Sequence, residues 1–220
     1  MTVWVDHLVV AAATLAQGVA WCEATLGVVP GPGGRHALFG THNRLAKMAS
    51  EAYPDAYLEI IAVDPDAPPP GRVRWFGLDD PALQAELQQH APRLVHVVAR
   101  STMLDMHRWG LINVGLQPGD PVSAHRETPE GRLAWQILVR ADGRLLCGGA
   151  LPTLIQWQGR HPTAAMAASG LALQALTLRG VPERARDVLR LRGVQVLADG
   201  TPALSATLAT PRGEIVLESA

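Results

Sequence analysis

Two similar stretches decide the fold: Asp6-His7-Leu8-Val9-Val10-Ala11 near the start of the chain and Leu94-Val95-His96-Val97-Val98-Ala99 near its middle. Both consist mainly of branched apolar residues, which are typical of buried β-strands, and each carries one histidine. A helical pattern and three strand-like segments follow each stretch, so the order β-α-β-β-β occurs twice. The repeat predicts two related modules.

The first module carries clear helix-boundary signals. Thr14 followed by Gln17 is a capping box, in which the threonine side chain accepts a hydrogen bond from the backbone at the start of a helix. Apolar residues then recur at helical spacing as far as Leu26, and Gly27 follows at the position where helices commonly end. The sequence therefore predicts a helix between the first and second strands of this module.

A third, shorter copy of the same order follows the first two, with Ala175 in the place of the two histidines. The Pro-rich segment 64–71 cannot form regular structure, and we expect the nearby Trp75-Phe76 pair to pack over one edge of the fold. We predict an α+β protein divided into a first βαβββ module (1–65), a Pro-rich linker with a short helix (66–93), a second βαβββ module (94–162) and a C-terminal βαβββ-like unit (163–220).

The composition excludes several classes of function. The 220 residues contain 19 Lys and Arg against 20 Asp and Glu, a net charge of −1, which gives little attraction to nucleic acid or anionic membranes. Two cysteines are too few for a disulfide scaffold. No phosphate loop, dinucleotide-binding fingerprint or nucleophile elbow is present. We expect a cytoplasmic protein that binds neither nucleic acid nor membrane and acts on a small molecule.

The chain resembles the vicinal oxygen chelate superfamily, because paired βαβββ modules carry a histidine on the first strand and a glutamate on the last. Several short motifs resemble the glyoxalase-like bacterial branch of that superfamily over residues 1 to about 162: Asp6-His7-Leu8-Val9, Gly33-Gly34-Arg35-His36, Gly40-Thr41-His42-Asn43, Tyr57-Leu58-Glu59-Ile60-Ile61 and Arg74-Trp75-Phe76-Gly77-Leu78. The resemblance implies a fold like the glyoxalases, bleomycin-resistance proteins and dihydroxybiphenyl dioxygenases, in which a curved mixed sheet forms a cup.

The same resemblance implies a divalent metal ion, of iron, zinc, nickel or manganese, in the cup. Its ligands would be His7 and Glu59 from the first module and His96 and Gln156 from the second. Glu59, or a water bound to the metal, would move the proton in the reaction. The residues support Glu59 independently, since a carboxylate within an apolar strand is costly to bury unless a metal or cation pairs with it. The alternative is that Glu59 faces solvent on a half-exposed strand, and that Gln156 marks a site without metal.

Further polar and aromatic residues near the expected cup are candidates for substrate binding. For Arg35, His36, His42 and Asn43, the alternative is that these residues simply form a tight turn around Gly40. Arg35 in particular also suits a substrate carboxylate, which an arginine can bind through two hydrogen bonds. The candidates are Arg35, His36, His42, Asn43 and Trp157.

Two functions of different kinds are predicted. The first is a metal-dependent enzyme that acts on a small substrate with vicinal oxygens, of isomerase or lyase type or, through two histidines and a carboxylate, of dioxygenase type. The second is a non-catalytic protein of the same fold that binds or sequesters a small molecule in an aromatic-lined cup. The C-terminal unit would cover the open side of the sheet or form a homodimer interface, because an odd module leaves strand edges that need a partner.

Overall fold

A computed structural model describes residues 3–219. The first module begins with a strand and a helix that continues into a π-helical turn, Cys22–Leu26. Its regular elements are β1 (Trp4–Ala11), α1 (Leu15–Trp21), β2 (Arg35–His36), β3 (Thr41–Lys47) and β4 (Tyr57–Val63). The predicted helix boundaries are confirmed: Thr14 accepts a hydrogen bond from the Gln17 backbone at 3.1 Å, and Gly27 ends the helix in the left-handed conformation with φ of 74°.

The second module repeats this order after a connecting helix, α2 (Pro81–Gln89). Its elements are β5 (Arg93–Arg100), α3 (Leu104–Asn113), β6 (Asp120–Arg126), β7 (Leu133–Val139) and β8 (Thr153–Gln158). The C-terminal unit has the order β-α-β-β-β as well, with β9 (Ala172–Arg179), α4 (Glu183–Leu189), β10 (Val194–Leu197), β11 (Ala203–Thr210) and β12 (Gly213–Glu218).

The strands form two sheets. The first two modules build one curved, nearly closed sheet of eight strands in the order β2-β3-β4-β1-β5-β8-β7-β6, and the C-terminal unit forms a separate sheet in the order β10-β9-β11-β12. The histidine-bearing strands β1 and β5 pair antiparallel at the centre of the large sheet, and each pairs in parallel with the last strand of its own module. The predicted α+β fold is confirmed.

Each face of the large sheet has its own core. Side chains such as Leu8 and Val97 on the outer face pack against the helices and against Leu173 and Leu204 of the second sheet. The C-terminal unit therefore lies on the outer face of the cup. In the described part of the chain, no helix is long and apolar enough to span a membrane.

The inner face is covered by the linker between the modules. Trp75 and Phe76 are 4% and 3% exposed, and they pack against Val9, Val98 and Ile155. The expectation that these two aromatics cover one edge of the fold was wrong. They lie on the concave face of the sheet, where they cover its apolar inner surface together with Trp135.

Candidate functional site

A small buried cavity, which we call the inner chamber, lies on the inner face of the cup. Its volume is about 30 Å³, enough for about two water molecules. Aromatic and aliphatic side chains form most of its wall. The polar residues that line it are His7, His36, Asn43, Glu59 and Arg126.

His7 and Glu59 meet in this chamber. They lie on the paired strands β1 and β4, on the same face, because Val9 pairs with Glu59 and His7 precedes Val9 by two residues. The Nε2 atom of His7 is 3.5 Å from Oε2 of Glu59, and both side chains are about 95% buried, at 5% and 6% exposure. An imidazole and a carboxylate at this separation can exchange a proton with a molecule placed between or beside them.

A β-bulge brings Asp6 to His7. The pairing of β1 with β5 shifts between Val5 and His7, and such a bulge re-aims a side chain that would otherwise point to the opposite face. Asp6 Oδ1 lies 2.7 Å from His7 Nδ1. The carboxylate therefore accepts a hydrogen bond from Nδ1 and leaves Nε2 directed toward Glu59.

Asp6 also joins the second module to this pair. Its other oxygen, Oδ2, accepts hydrogen bonds from Trp157 Nε1 at 2.9 Å and from His161 Nε2 at 3.0 Å. Full burial raises the pKa of Asp6, but the hydrogen bonds from His161 and His7 outweigh burial and hold that pKa well below its usual range. Asp6 is thus a buried anion that orients both histidines.

Asn43 positions the Glu59 carboxylate. Its Nδ2 donates to Glu59 Oε1 at 2.5 Å, and its Oδ1 accepts from the Gly34 backbone at 2.7 Å. The chain passes so close to Asn43 that a Cβ added at Gly33 would lie 2.0 Å from the Asn43 carbonyl oxygen. A glycine at position 33 is therefore needed for this approach.

His36 completes the polar wall as a neutral ring. Its Nε2 lies 3.3 Å from Asn43 Nδ2 and its Nδ1 lies 3.0 Å from Thr41 Oγ1. Burial, with the positive charge of Arg126, lowers the pKa of His36 to about 3. His36 therefore accepts from Asn43 and donates to Thr41, and it serves to orient Asn43.

A family model described as a glyoxalase-like domain matches residues 5–196 of this chain. The chain belongs to the glyoxalase-like domain family. The match extends beyond the two modules of the cup to β10 of the C-terminal unit. No curated protein matches the chain significantly.

Several solved structures are similar to this chain at low sequence identity. A crystal structure of a hypothetical protein from Staphylococcus aureus matches with a TM-score of 0.55 and 14% identity, covering 81% of this chain and 70% of that one. A Streptomyces coelicolor methylmalonyl-CoA epimerase variant in complex with 2-nitronate-propionyl-CoA matches with a TM-score of 0.42 and 15% identity, covering 70% of this chain and 92% of that one. A methylmalonyl-CoA epimerase in complex with methylmalonyl-CoA and NH4+ matches with a TM-score of 0.44 and 15% identity, covering 76% of this chain and 99% of that one.

His96 lies on the same inner face as His7, diagonally across the β1–β5 pair, but it does not line the inner chamber. It pairs with Val9, whereas the partner of His7 on β5 is Val98. Both ring nitrogens of His96 are engaged, Nδ1 with the Gly149 carbonyl at 2.8 Å and Nε2 with Thr153 Oγ1 at 2.9 Å. Burial lowers the pKa of His96 to about 3. The ring is a satisfied, neutral core residue.

Gln156 lies on the outer face. On β8 the inner positions are Ile155 and Trp157, which pack with the inner core, and successive strand residues alternate between faces. The Gln156 side chain instead accepts a hydrogen bond from the Leu104 backbone at 2.9 Å, at the start of α3. The Gln156 side chain therefore lies on the opposite face of the sheet from His7 and Glu59.

The predicted divalent metal does not fit the side chains that the structure brings together. Within residues 3–219, no group of three or more His, Cys, Asp and Glu side chains is arranged to hold a metal ion. Only His7 and Glu59 of the predicted ligands are adjacent. The described residues therefore do not assemble the predicted four-ligand centre, nor the triad of His7, His96 and Glu59 on which the dioxygenase alternative depended.

The predicted substrate-binding residues divide between the two faces. His36, Asn43 and Trp157 line the inner chamber. Arg35 and His42 alternate with them on the outer face, where Arg35 pairs with Asp64 at 3.1 Å and with Asp66 at 3.2 Å. His42 Nδ1 lies 3.8 Å from Asp64 Oδ1. These two form a separate polar cluster.

Sequence reasoning assigned no role in this site to Asp6, Tyr57 or Arg126. Asp6 directly precedes His7, and this adjacency was the one signal available for it. Trp75 lies outside the strands, and its buried Nε1 has no hydrogen-bond partner among the described residues, like Nη1 of Arg126. Tyr57 stacks on His7 with 4.6 Å between ring centroids. No sequence pattern distinguishes Arg126 from the other arginines.

Proposed function

We propose that this glyoxalase-like protein is an enzyme that moves a proton on a small substrate with two adjacent oxygens, with His7 and Glu59 as the acid–base pair. One observation carries the proposal. A glutamate carboxylate and an imidazole lie 3.5 Å apart in a buried chamber, and a buried aspartate fixes the imidazole from behind. The reaction is of isomerase or lyase type.

The two groups have different roles. Glu59 is the base that takes a proton from the carbon next to a substrate carbonyl. His7, protonated, donates from Nε2 to the carbonyl oxygen as negative charge develops there, while Asp6 stabilises the imidazolium. Asn43 holds one oxygen of Glu59 and so leaves the other, which faces His7, as the basic atom.

Trp75 supplies a further donor. Its Nε1 hydrogen is buried, lacks a hydrogen-bond partner within the described residues and belongs to a side chain that lines the inner chamber. A buried N–H without a partner is costly, and a substrate oxygen would satisfy it. This donor suits one of the two adjacent oxygens.

Members of the superfamily commonly bind a divalent metal, but the donor set described here does not fit one. No step is therefore derived through a metal. The proton transfer described above needs only His7, Glu59, Asp6 and Asn43.

Deuterium exchange tests the proposal. The protein is incubated in D₂O with pyruvate, methylglyoxal, lactate and dihydroxyacetone, and loss of the C–H signal next to the carbonyl or carboxylate is followed by proton NMR. We expect wild type to exchange at least one of these compounds. Glu59→Gln and His7→Ala are expected to slow exchange by about 100-fold or more, the usual contribution of a positioned acid or base.

His96→Gln is the matched control, since this histidine lies on the same inner face but outside the chamber. We expect it to exchange at the wild-type rate, and circular dichroism confirms that each variant is folded. Equal exchange by wild type and Glu59→Gln, or no exchange of any compound, would contradict the proposal.

A non-catalytic binding protein is the second candidate, favoured by the aromatic side chains that fill the cup. Trp75 stacks on Phe76 with 4.9 Å between centroids, and Trp135 packs on Trp157 at 5.3 Å. A compound that binds His7→Ala and Glu59→Gln as tightly as wild type, and is never exchanged, would support this candidate against the enzyme.

A further inference from the structure

A larger cleft adjoins the inner chamber. It has a volume of about 460 Å³, within the range of small-molecule sites. It lies between β3, the β6–β7 hairpin and the segment 160–169. Leu45 and Arg126 line both the cleft and the inner chamber. The Arg126 side chain therefore stands at the boundary between a space that can hold a substrate and the space that holds His7 and Glu59.

The Arg126 guanidinium is held in place at this boundary, but one of its nitrogens lacks a hydrogen-bond partner among the described residues. As the last residue of β6 it pairs with Leu133 of β7, and its Nη1 is buried without a hydrogen-bond partner among residues 3–219. The guanidinium lies against Gly34, where an added Cβ would be 2.5 Å from Nη1 and 3.1 Å from Cδ. The absence of a side chain at Gly34 thus gives the guanidinium its position.

The cleft combines positive charge with an apolar wall. Its charged residues are Lys47, Arg126 and Arg160 against Glu130 alone. Among the contacts of residues 3–219, Lys47 Nζ and Arg160 Nη2 donate to backbone carbonyls, at 3.2 Å and 3.1 Å, and neither charge is neutralised by that contact. The rest of the lining includes Leu133 and Met166. This environment favours an anion with an apolar remainder.

We infer that the cleft binds a 2-oxo carboxylate with an apolar side chain. The carboxylate pairs with Arg126, the 2-oxo group points to the Trp75 N–H in the inner chamber, and the apolar side chain lies along Leu133 and Met166. The inference rests on the proposed function, for which it names the substrate class: the carbon next to the 2-oxo group would meet Glu59. The positive charge beside the reacting oxygens is then supplied by an arginine of the chain itself.

Binding, measured separately from exchange, tests the inference. Isothermal titration calorimetry with 4-methyl-2-oxopentanoate is compared with its neutral counterpart 4-methyl-2-pentanone, which keeps the ketone and the branched chain but lacks the carboxylate. We expect the carboxylate to bind wild type at least tenfold more tightly than the ketone, and quenching of tryptophan fluorescence to follow the same titration.

Three variants examine the role of the guanidinium. Arg126→Gln removes its charge, and Gly34→Ala displaces it with the charge retained. We expect each to weaken binding of the carboxylate by at least tenfold. Arg132→Gln is the matched control, because this arginine lies on the same hairpin with its side chain 60% exposed. It should bind within twofold of wild type.

The outcomes separate this inference from the proposed function. Glu59→Gln should bind the carboxylate and fail to exchange it. Binding that depends on Arg126 without any exchange would support the site and contradict the acid–base role. Equal binding of ketone and carboxylate, no binding by wild type, or full binding by folded Arg126→Gln would overturn the inference. If Arg126→Gln does not fold, Gly34→Ala decides.

Discussion

Asp6 is fully buried and accepts hydrogen bonds from His7, Trp157 and His161. Asp6→Asn keeps the shape of this side chain but replaces one carboxylate oxygen with an NH2 group. This NH2 group is a hydrogen-bond donor, and it would face groups that also donate. An asparagine that keeps its oxygen toward Trp157 and His161 loses the contact with His7. Because a hydrogen bond to a charged group contributes about 1.5–3 kcal/mol, we expect the free energy of unfolding at pH 5 to fall by that amount.

The pH dependence of this loss identifies its cause. The folded pKa of Asp6 is held below its unfolded value of 3.8, so the stability that the carboxylate contributes is present above pH 3.8 and is lost as the pH falls toward the folded pKa. At pH 3 the contribution should be smaller by about 1 kcal/mol. Urea unfolding of wild type and Asp6→Asn at both pH values measures the difference.

An equal stability of the two proteins at pH 5, or a difference that stays constant down to pH 3, would refute the reasoning. The first result would show that the hydrogen bonds to Asp6 contribute nothing beyond the cost of burying it. The second would show that the effect of Asp6→Asn has a steric origin and does not depend on the charge.

Three further predictions concern other residues. Gln156→Ala should lower the free energy of unfolding by about 1 kcal/mol, because α3 loses the hydrogen bond to its Leu104 backbone, and should leave deuterium exchange unchanged. Gly33→Ala should cost about 1–3 kcal/mol in urea unfolding, because its Cβ would collide with the Asn43 backbone. His96 has a pKa of about 3 in the folded protein and about 6.5 in the unfolded chain. Between these pH values the unfolded chain binds more protons than the folded protein, and the free energy of unfolding should therefore fall as the pH drops through that range. His96→Gln should reduce this slope, whereas an unchanged slope would contradict the neutral assignment.

The repeat of β-α-β-β-β units was predictable from local patterns. Strand composition, the Thr14 cap and Gly27 depend on residues close together in the chain, and each is found as expected. His7 and Glu59 were also predictable as neighbours, since the first and last strands of one module pair in parallel.

The contribution of the second module was not predictable from the same patterns. The position of His96 relative to His7 depends on the antiparallel register of β1 and β5, in which a shift between Val5 and His7 sets Val98 opposite His7 and His96 diagonal to it. For Gln156, an error of one residue in strand phase exchanges the inner face for the outer one. The local sequence determines neither the register between β1 and β5 nor which residues of β8 face the inside of the cup.

The parts of the site that come from outside the strands had the weakest signals. Trp75 reaches the inner face from a linker, and its burial depends on the curvature of the whole sheet. Arg126 meets the first module only because both halves close around one chamber. Such contacts depend on tertiary packing, which cannot be read from the spacing of apolar residues or from helix-capping residues.

Elemental analysis by mass spectrometry most directly tests whether the cup holds an acid–base pair in place of an assembled metal centre. The untagged protein is purified without chelators, incubated with iron, zinc, nickel and manganese salts and desalted, in parallel with Glu59→Gln and His7→Ala. We expect far less than a stoichiometric amount of each metal, and the same content in all three proteins. A stoichiometric divalent ion in wild type that both variants lose would contradict the assignment of His7 and Glu59 as a metal-independent pair.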